Sequence, residues 1–172
     1  MGKPNVTEDI LTRARKIKLL LMDCDGVLTD GRLYFSERGE ELKVFHVRDG
    51  QGLANWHKAG FLSGIITGRD AEKILQARAT ELGIHYIKTR SLDKAKDFED
   101  ILQVAAVTSE EVAFIGDDTG DLCLLRKVGF PIAVADAVDD VLSDTILRTK
   151  ANGGYGAVRE VIDLLLDAKR FV

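Results

Sequence analysis

The organising segment of this chain reads Leu19-Leu20-Leu21-Met22-Asp23-Cys24-Asp25-Gly26-Val27-Leu28-Thr29-Asp30. Its unbroken apolar beginning is typical of a strand that is buried on both faces, as in a parallel sheet. Side chains two residues apart on a strand point the same way, so Asp23 and Asp25 should share one face. Ligands of open α/β sheets bind at the carboxyl ends of strands, where Gly26 also allows a sharp turn. The motif predicts either a functional carboxylate pair or a simple turn and cap, and alone it does not decide between them.

The composition of the chain limits the classes of function. Its 172 residues are 45% apolar and 30% charged, and we expect residues 1–172 to form a single domain with a sizeable core. The net charge of −4, without a basic block, argues against a nucleic-acid partner. No apolar run reaches the length of a membrane span and no signal peptide is recognisable, so we expect no membrane partner. Two cysteines, Cys24 and Cys123, give no disulfide framework, which favours the cytoplasm.

Apolar periodicity after residue 49 predicts helices that alternate with strands. Strands are predicted at about residues 17–22, 61–67, 84–87, 112–116, 131–135 and 145–148. Helices are predicted from about residue 7 and at about residues 49–59, 70–82, 93–106, up to 128, 138–143 and 157–169. This alternation predicts an α/β fold with a doubly wound, Rossmann-like parallel sheet and helices on both faces.

One segment departs from the alternation of helices and strands. Two β-rich runs, at residues 32–36 and 41–47, flank a polar turn that contains Gly39. This pattern predicts a β-hairpin that protrudes from the sheet. An isolated two-stranded hairpin is marginally stable in water, so the hairpin should lie against something else.

Polar residues follow two further predicted strands. Thr67-Gly68-Arg69 comes after the strand at 61–67, where a hydroxyl and free amides at a helix start could bind an anion or simply cap the helix. Lys94 opens a helix, an end that disfavours a cation because the helix dipole is positive there. A lysine in that place makes sense if it meets an anion, although most surface lysines are only solvated.

The third strand end carries three acids, in the run Gly116-Asp117-Asp118-Thr119-Gly120-Asp121. Together with Asp23 and Asp25 they predict five carboxylates that converge on one rim of the sheet. Carboxylates so close repel one another unless a cation offsets their charge. Mg²⁺ prefers a few carboxylates together with water and phosphate oxygens, so we expect Mg²⁺ as the cofactor.

In this order, the motifs make the chain resemble the haloacid dehalogenase superfamily of phosphotransferases over nearly its whole length. Four stretches resemble more narrowly the family of 3-deoxy-D-manno-octulosonate 8-phosphate (KDO 8-phosphate) phosphatases. They are Asp23-Cys24-Asp25-Gly26-Val27-Leu28-Thr29-Asp30, Phe45-His46-Val47-Arg48-Asp49-Gly50-Gln51-Gly52, Ile65-Ile66-Thr67-Gly68-Arg69 and Gly153-Gly154-Tyr155-Gly156-Ala157-Val158-Arg159-Glu160.

The resemblance implies a role for each motif residue. Asp23 is the expected nucleophile, and Asp25 the expected acid and base. Mg²⁺ would be held by the Asp23 carboxylate, the Asp25 main-chain carbonyl and Asp117, and supported by Asp118 and Asp121. The phosphoryl group would be bound by Thr67, the Gly68 amide and Lys94. The remaining expected substrate-binding residues are Arg48, Arg69 and Arg159, with a surface ion pair to Asp49 or to another neighbour as the alternative role of Arg48.

The resemblance also implies the substrate and the assembly. The substrate would be a phosphorylated sugar acid, KDO 8-phosphate, and the core would be capless. The hairpins would assemble a homotetramer, in which the C-terminal segment at 152–156 completes a neighbour's active site. Two alternatives stay open at this point: a phosphatase of a nine-carbon sugar acid 9-phosphate, and a non-catalytic oligomerisation module of the same fold.

Overall fold

The computed structural model describes residues 7–70 and 72–170. The expected domain limits at residues 1 and 172, and residue 71 of the expected helix 70–82, lie outside these ranges. The strands are β1 (Leu19–Met22), β2 (Tyr34–Ser36), β3 (Gly39–Leu42), β4 (Leu62–Ile66), β5 (Tyr86–Lys88), β6 (Val112–Gly116), β7 (Phe130–Ala133) and β8 (Leu147–Arg148). The helices are α1 (Glu8–Lys16), α2 (Val47–Lys58), α3 (Glu72–Leu82), α4 (Lys94–Ala105), α5 (Leu122–Leu125), α6 (Asp139–Leu142) and α7 (Ala157–Arg170).

Six of the strands form one parallel sheet in the order β5-β4-β1-β6-β7-β8. Helices α1 and α2 pack on α7, with α3 beside α2, whereas α4 packs on α5 and on β4. The sheet is therefore doubly wound, and the predicted fold class is confirmed. The chain passes from β1 to β4 on one side and reaches β6 on the other, so the carboxyl end of β1 lies at the switch point where open sheets bind ligands.

Strand β1 is the centre of the core. All four of its residues, Leu19 to Met22, are fully buried. They pair in parallel register with β4, from Leu62 to Ile65, and with β6, from Val112 to Ile115. Apolar side chains on both faces of β1 are excluded from water by the two helix layers, which is why its sequence is a continuous apolar run rather than an alternating one.

The hairpin consists of β2 and β3, which form a separate antiparallel sheet. The predicted second run, 41–47, is wrong in its latter half, because β3 ends at Leu42 and α2 begins at Val47. The His46 side chain accepts a hydrogen bond from the Arg48 backbone N–H and so caps α2. Lys43, the first residue after β3, is buried.

A shorter helix is the other departure from the predicted elements. The helix expected up to residue 128 is limited to α5, which follows a single 3₁₀ turn at Thr119–Asp121. Among the described residues, no helix is long and apolar enough to cross a membrane.

Candidate active site

Asp23 lies directly after β1, at the centre of the sheet's carboxyl edge. Its backbone N–H donates to the Ile115 carbonyl at 3.0 Å, so the residue is fixed between β1 and β6. Its Oδ1 accepts the Cys24 backbone N–H at 2.8 Å. The side chain is 14% exposed. Asp23 is thus held rigidly by the backbone while its carboxylate keeps a route to solvent.

Three carboxylates meet at this edge and form what we call the acidic cluster: Asp23, Asp117 and Asp121. One oxygen from each lies within 4.8 Å of the others. Gly26 allows this close approach, since a Cβ at that position would lie 2.0 Å from Asp117 Oδ2. Asp117 Oδ1 is buried and has no hydrogen-bond partner within the described part of the chain. A buried oxygen left without a donor is costly, and a cation would satisfy it.

The electrostatics of the acidic cluster also favour a cation. Burial and the charge of Asp121 raise the pKa of Asp23 to about 6, although Lys94 opposes the shift. Burial, Asp121 and Asp23 raise the pKa of Asp117 to about 8. Each shift means that the ionised carboxylate is disfavoured where it stands. Hard oxygen ligands of this kind fit Mg²⁺, with the carboxylates of Asp23, Asp117 and Asp121 close enough together to hold it. The Asp25 main-chain carbonyl stays a predicted ligand.

Lys94, the first residue of α4, contacts the acidic cluster, as expected for a lysine at the start of a helix that meets an anion. Its Nζ donates to Asp121 Oδ1 at 2.8 Å and lies 3.3 Å from Asp23 Oδ1. Burial alone would lower the pKa of Lys94, but the charges of Asp23 and Asp121 outweigh it and raise that pKa. The ammonium therefore stays charged beside Asp23, where an incoming anion would need it.

Of the five carboxylates predicted to converge on one rim, three form the acidic cluster. Asp118 is exposed, and its Oδ1 accepts the Thr119 N–H, so it caps the 3₁₀ turn, while its charge still acts on Asp117. Asp25 Oδ1 contacts the Nζ of Lys43, the residue that follows β3. Asp121 is buried, and its Oδ2 accepts the N–H of Asp117 at 3.0 Å, which supports the loop that carries Asp117. The sequence pattern alone could not show which of the acidic side chains would cap a tight turn through hydrogen bonds to its backbone.

Thr67, Gly68 and Arg69 follow β4, the strand next to β1. Thr67 is buried, and its Oγ1 accepts the Arg69 N–H at 3.3 Å. Gly68 is exposed, and its N–H donates to no protein group among the residues described. The hydroxyl and the amide thus lie on the site side of β4, where they can receive an anion.

Asp25 belongs to a group of four charged side chains whose contacts the sequence did not predict. We call this group the charge quartet, and its members are Asp25, Lys43, Glu40 and Arg69. The Lys43 Nζ contacts Asp25 Oδ1 and donates to Glu40 Oε1 at 2.6 Å. The Arg69 guanidinium donates to Glu40 Oε2 at 3.1 Å and lies 3.9 Å from Asp25 Oδ2. Lys43 and Glu40 belong to the predicted hairpin, where charged side chains are usually solvated. Their sequence positions therefore did not indicate that they would belong to one charged group with Asp25.

The two other predicted arginines do not reach the acidic cluster. Arg48 is exposed in the first turn of α2. Of its alternative ion pairs, the one with Asp49 is wrong, because Asp49 is buried and accepts the Arg159 N–H at 2.7 Å. The Arg159 guanidinium is bound at 2.8 Å by Asp163, one turn further along α7. Within one chain, neither arginine touches the residues that surround Asp23.

The glycine-rich segment at 152–156 packs on its own chain. A Cβ at Gly153 would lie 1.7 Å from the Gly26 carbonyl oxygen, and the Gly154 N–H donates to the Val27 carbonyl at 3.0 Å. These glycines are therefore explained by close contact with the loop that follows Asp25. Within one chain its backbone supports the loop that follows Asp25, and the expectation that the segment also completes a neighbour's active site stays a prediction.

Comparisons with known proteins agree with this geometry. Residues 73–162 match the family model of the haloacid dehalogenase-like hydrolases. The 3-deoxy-D-manno-octulosonate 8-phosphate phosphatase KdsC of Escherichia coli K12 is 43% identical over 164 residues, which are 95% of this chain and 87% of that protein.

Two solved structures show the same similarity in three dimensions. The crystal structure of a 3-deoxy-D-manno-octulosonate 8-phosphate phosphatase from Yersinia pestis superposes with a TM-score of 0.92 at 42% identity, covering 95% of this chain and 88% of that one. The enzyme of the same name from Moraxella catarrhalis, in complex with magnesium, phosphate and KDO, has a TM-score of 0.91 at 36% identity and covers 95% and 94%.

Proposed function

The chain belongs to the haloacid dehalogenase-like hydrolases, and from this premise we propose that it hydrolyses KDO 8-phosphate to KDO and phosphate through an aspartyl-phosphate on Asp23. The observation that supports the proposal is that two aspartates of one motif, Asp23 and Asp25, lie in different environments. Asp23 lies in the acidic cluster beside Lys94, whereas Asp25 is held apart by the charge quartet. One carboxylate is thus placed to attack and the other to transfer a proton.

Asp23 is the nucleophile in this proposal. Its carboxylate attacks phosphorus, and the bond between phosphorus and the sugar oxygen breaks. Because the pKa of Asp23 is raised only to about 6, the group is mostly ionised at neutral pH and remains competent to attack. Lys94, at 3.3 Å from Asp23 Oδ1, stabilises the negative charge of the phosphoryl oxygens as they approach.

Asp25 transfers the proton in both half-reactions. It protonates the departing sugar oxygen, and it then takes a proton from the water that attacks the aspartyl-phosphate. The two half-reactions have opposite proton demands, so one carboxyl group can serve both. Thr67 and the Gly68 N–H bind the phosphoryl oxygens from the β4 side.

The donor set of the acidic cluster suits a divalent cation. Mg²⁺ bound there supplies positive charge that draws the carboxylate and the phosphoryl group together and offsets charge on the oxygens. The structure of the Moraxella catarrhalis enzyme in complex with magnesium, phosphate and KDO supports this choice of metal and of substrate. The two free cysteines support the cytoplasm as the compartment.

We further propose that the core is capless and that the hairpins join subunits into a tetramer. Among residues 7–70 and 72–170, the helices and strands between β1 and β4 are the hairpin and α2, and α3 is the one between β4 and β5. Nothing in these connections is large enough to form a separate cap. The hairpin region exposes large apolar side chains that water disfavours, namely Leu33, Tyr34, Phe35, Leu42, Val44 and Val47.

A substrate panel tests the proposed function. Phosphate release should be measured with Mg²⁺ on KDO 8-phosphate, on nine-carbon sugar acid 9-phosphates and on simple sugar phosphates. We expect the highest kcat/KM for KDO 8-phosphate. A preference for a nine-carbon acid would move the substrate to the alternative, and the absence of phosphate release from every ester would favour the non-catalytic module.

A further inference from the structure

Lys43 is the buried cation of the charge quartet. Its side chain is 1% exposed, although it belongs to the segment that leaves the exposed hairpin. Its Nζ contacts Asp25 Oδ1 and donates to Glu40 Oε1 at 2.6 Å. A buried ammonium without partners is strongly unfavourable, so the folded protein must maintain these contacts. Lys43 therefore has one position, and Glu40 contributes to fixing it.

The two carboxylate oxygens of Asp25 consequently differ in their hydrogen-bond partners. Oδ1 is occupied by Lys43. Oδ2 is buried and has no hydrogen-bond partner within residues 7–70 and 72–170, and the Arg69 Nε lies 3.9 Å from it. A carboxylate that is bound through one oxygen only cannot rotate freely, because rotation would break the contact with the ammonium.

We propose that Lys43, held in place by Glu40, is a positioning residue for the reaction: it fixes Asp25 Oδ1 so that Oδ2 is presented to the leaving oxygen. The proposal rests on the proposed function, in which the Asp25 proton passes from Oδ2 to the sugar oxygen as the bond to phosphorus breaks. A general acid must lie within hydrogen-bond reach of the atom that it protonates, so its orientation affects the rate directly. The hairpin, through Glu40 of β3, thereby belongs to the active site of its own subunit.

The competing explanation is that Lys43 only attaches the hairpin to the core. Loss of an attachment would lower stability or the fraction of active enzyme, and it would slow all substrates alike. Loss of a positioned general acid slows those esters whose leaving group needs a proton. The dependence of the rate on the leaving group therefore separates the two roles.

The experiment uses the full chain with Mg²⁺ and a series of substituted phenyl phosphates, from 4-nitrophenyl phosphate to phenyl phosphate. These esters have similar shapes, but nitrophenolate leaves without protonation and phenolate does not. For Lys43→Met we expect kcat/KM on phenyl phosphate to fall roughly 10- to 100-fold, part of the effect that a general acid supplies. On 4-nitrophenyl phosphate we expect a fall of less than about 3-fold, because its chemistry makes little use of a general acid.

A second variant guards against misfolding. Lys43→Met combined with Glu40→Gln removes one cation and one carboxylate of the charge quartet together, so that the charges of Asp25 and Arg69 remain balanced, and it should show the same selective loss. Arg38→Met is the matched control, because Arg38 pairs with Glu41 on the hairpin and is not part of the charge quartet. That variant should keep the wild-type dependence on the leaving group.

Three results would overturn the inference. They are an equal loss on both esters in both Lys43 variants, no loss on either ester, and an equal selective loss in Arg38→Met. These results are distinct from failure of the proposed function, in which the wild-type enzyme itself releases no phosphate from any ester with Mg²⁺, and which would remove the inference as well.

Discussion

The acidic cluster and the charge quartet lie side by side, and each holds one aspartate of the same short motif. The acidic cluster gathers three carboxylates around one ammonium, and it leaves Asp117 Oδ1 buried without a partner in the described chain. The charge quartet alternates two carboxylates with two cations. The first is incomplete without an external cation, whereas the second is balanced by the protein itself.

This difference indicates how one strand end can supply two distinct chemical roles. A site that must receive a metal and a phosphoryl group benefits from uncompensated charge, because binding then relieves repulsion. A proton-transfer group benefits from fixed geometry, which balanced ion pairs provide.

The largest effect concerns the nucleophile in the acidic cluster. Asp23→Asn should lower kcat on KDO 8-phosphate by about 10³-fold or more, because the amide is nearly isosteric but a poor nucleophile. Since the substitution removes one of the repelling charges, the free energy of unfolding in chelator should not fall. Steady-state phosphate release and urea unfolding measure both quantities. Substantial residual turnover would contradict the assigned nucleophile.

The charge quartet should respond to a substitution in the opposite way. Lys43→Met should lower the free energy of unfolding by about 3 kcal/mol, because breaking a buried ion pair leaves carboxylates without compensation. Asp117→Asn in the acidic cluster should leave that free energy unchanged or raise it in chelator. Urea unfolding of both variants tests the contrast. If the two substitutions destabilised the protein equally, the distinction between the regions would fail.

Metal should stabilise the acidic cluster and leave the charge quartet unaffected. Mg²⁺ at about 100 times its dissociation constant should add about 2.7 kcal/mol to the free energy of unfolding, because it binds only the native state. Lys43→Met should gain the same increment, and Asp117→Asn should gain less. Thermal unfolding with and without chelator measures these increments. Phosphate release should stop in excess chelator and return with Mg²⁺.

The smallest effect is a dependence of stability on pH in chelator. The native pKa values of Asp23 and Asp117, about 6 and about 8, lie above the ordinary value of 3.8. The native state therefore binds more protons than the unfolded state, and stability should fall as the pH rises through these values. Between pH 6.5 and 8.5 the loss due to Asp117 alone should be about 2 kcal/mol. Lys169, whose pKa is lowered by burial to about 8, opposes this loss, so we expect a net loss of about 1 kcal/mol, which Asp117→Asn should remove.

His57 makes the free energy of unfolding depend on pH in the acidic range as well, so the test is made at neutral and alkaline pH. Burial and the neighbouring His85 lower the pKa of His57, so its protonation destabilises the fold as the pH falls. A free energy of unfolding that rises from pH 6.5 to 8.5 in chelator would contradict the electrostatic description of the acidic cluster.

The sequence was sufficient to predict the sheet and the acidic cluster because both depend on local patterns. A continuous apolar run followed by acids defines a buried strand and its functional end, and Asp23 and Asp117 were found in this way. Lys94 was found from its unusual place at the start of a helix. Lys43 and Asp25 are 18 residues apart, and no periodicity connects them. Their contact depends on how the hairpin folds back over the site, which only the tertiary structure determines.

The glycines at 153 and 154 illustrate the same limit. The sequence showed that the segment was rich in glycine, but not that a backbone from residue 26 lies against it. When two segments distant in sequence pack closely, the only sign of it in the sequence is a glycine, which has no side chain. The role of the predicted Arg159 likewise depended on a neighbour, Asp163, that turned its guanidinium along α7.

The most direct test of the division of labour between the two aspartates is detection of the phosphoryl group on Asp23. Asp25→Asn should be mixed with Mg²⁺ and 4-nitrophenyl phosphate, whose leaving group needs no proton from Asp25 in the first half-reaction, then quenched with acid and digested for mass spectrometry. Because this variant lacks the base for the second half-reaction, the peptide that contains Asp23 should carry one phosphoryl group, and Asp23→Asn should carry none. Turnover of the wild-type enzyme without phosphorylation of that peptide in Asp25→Asn, or a phosphoryl group on another residue, would contradict the account.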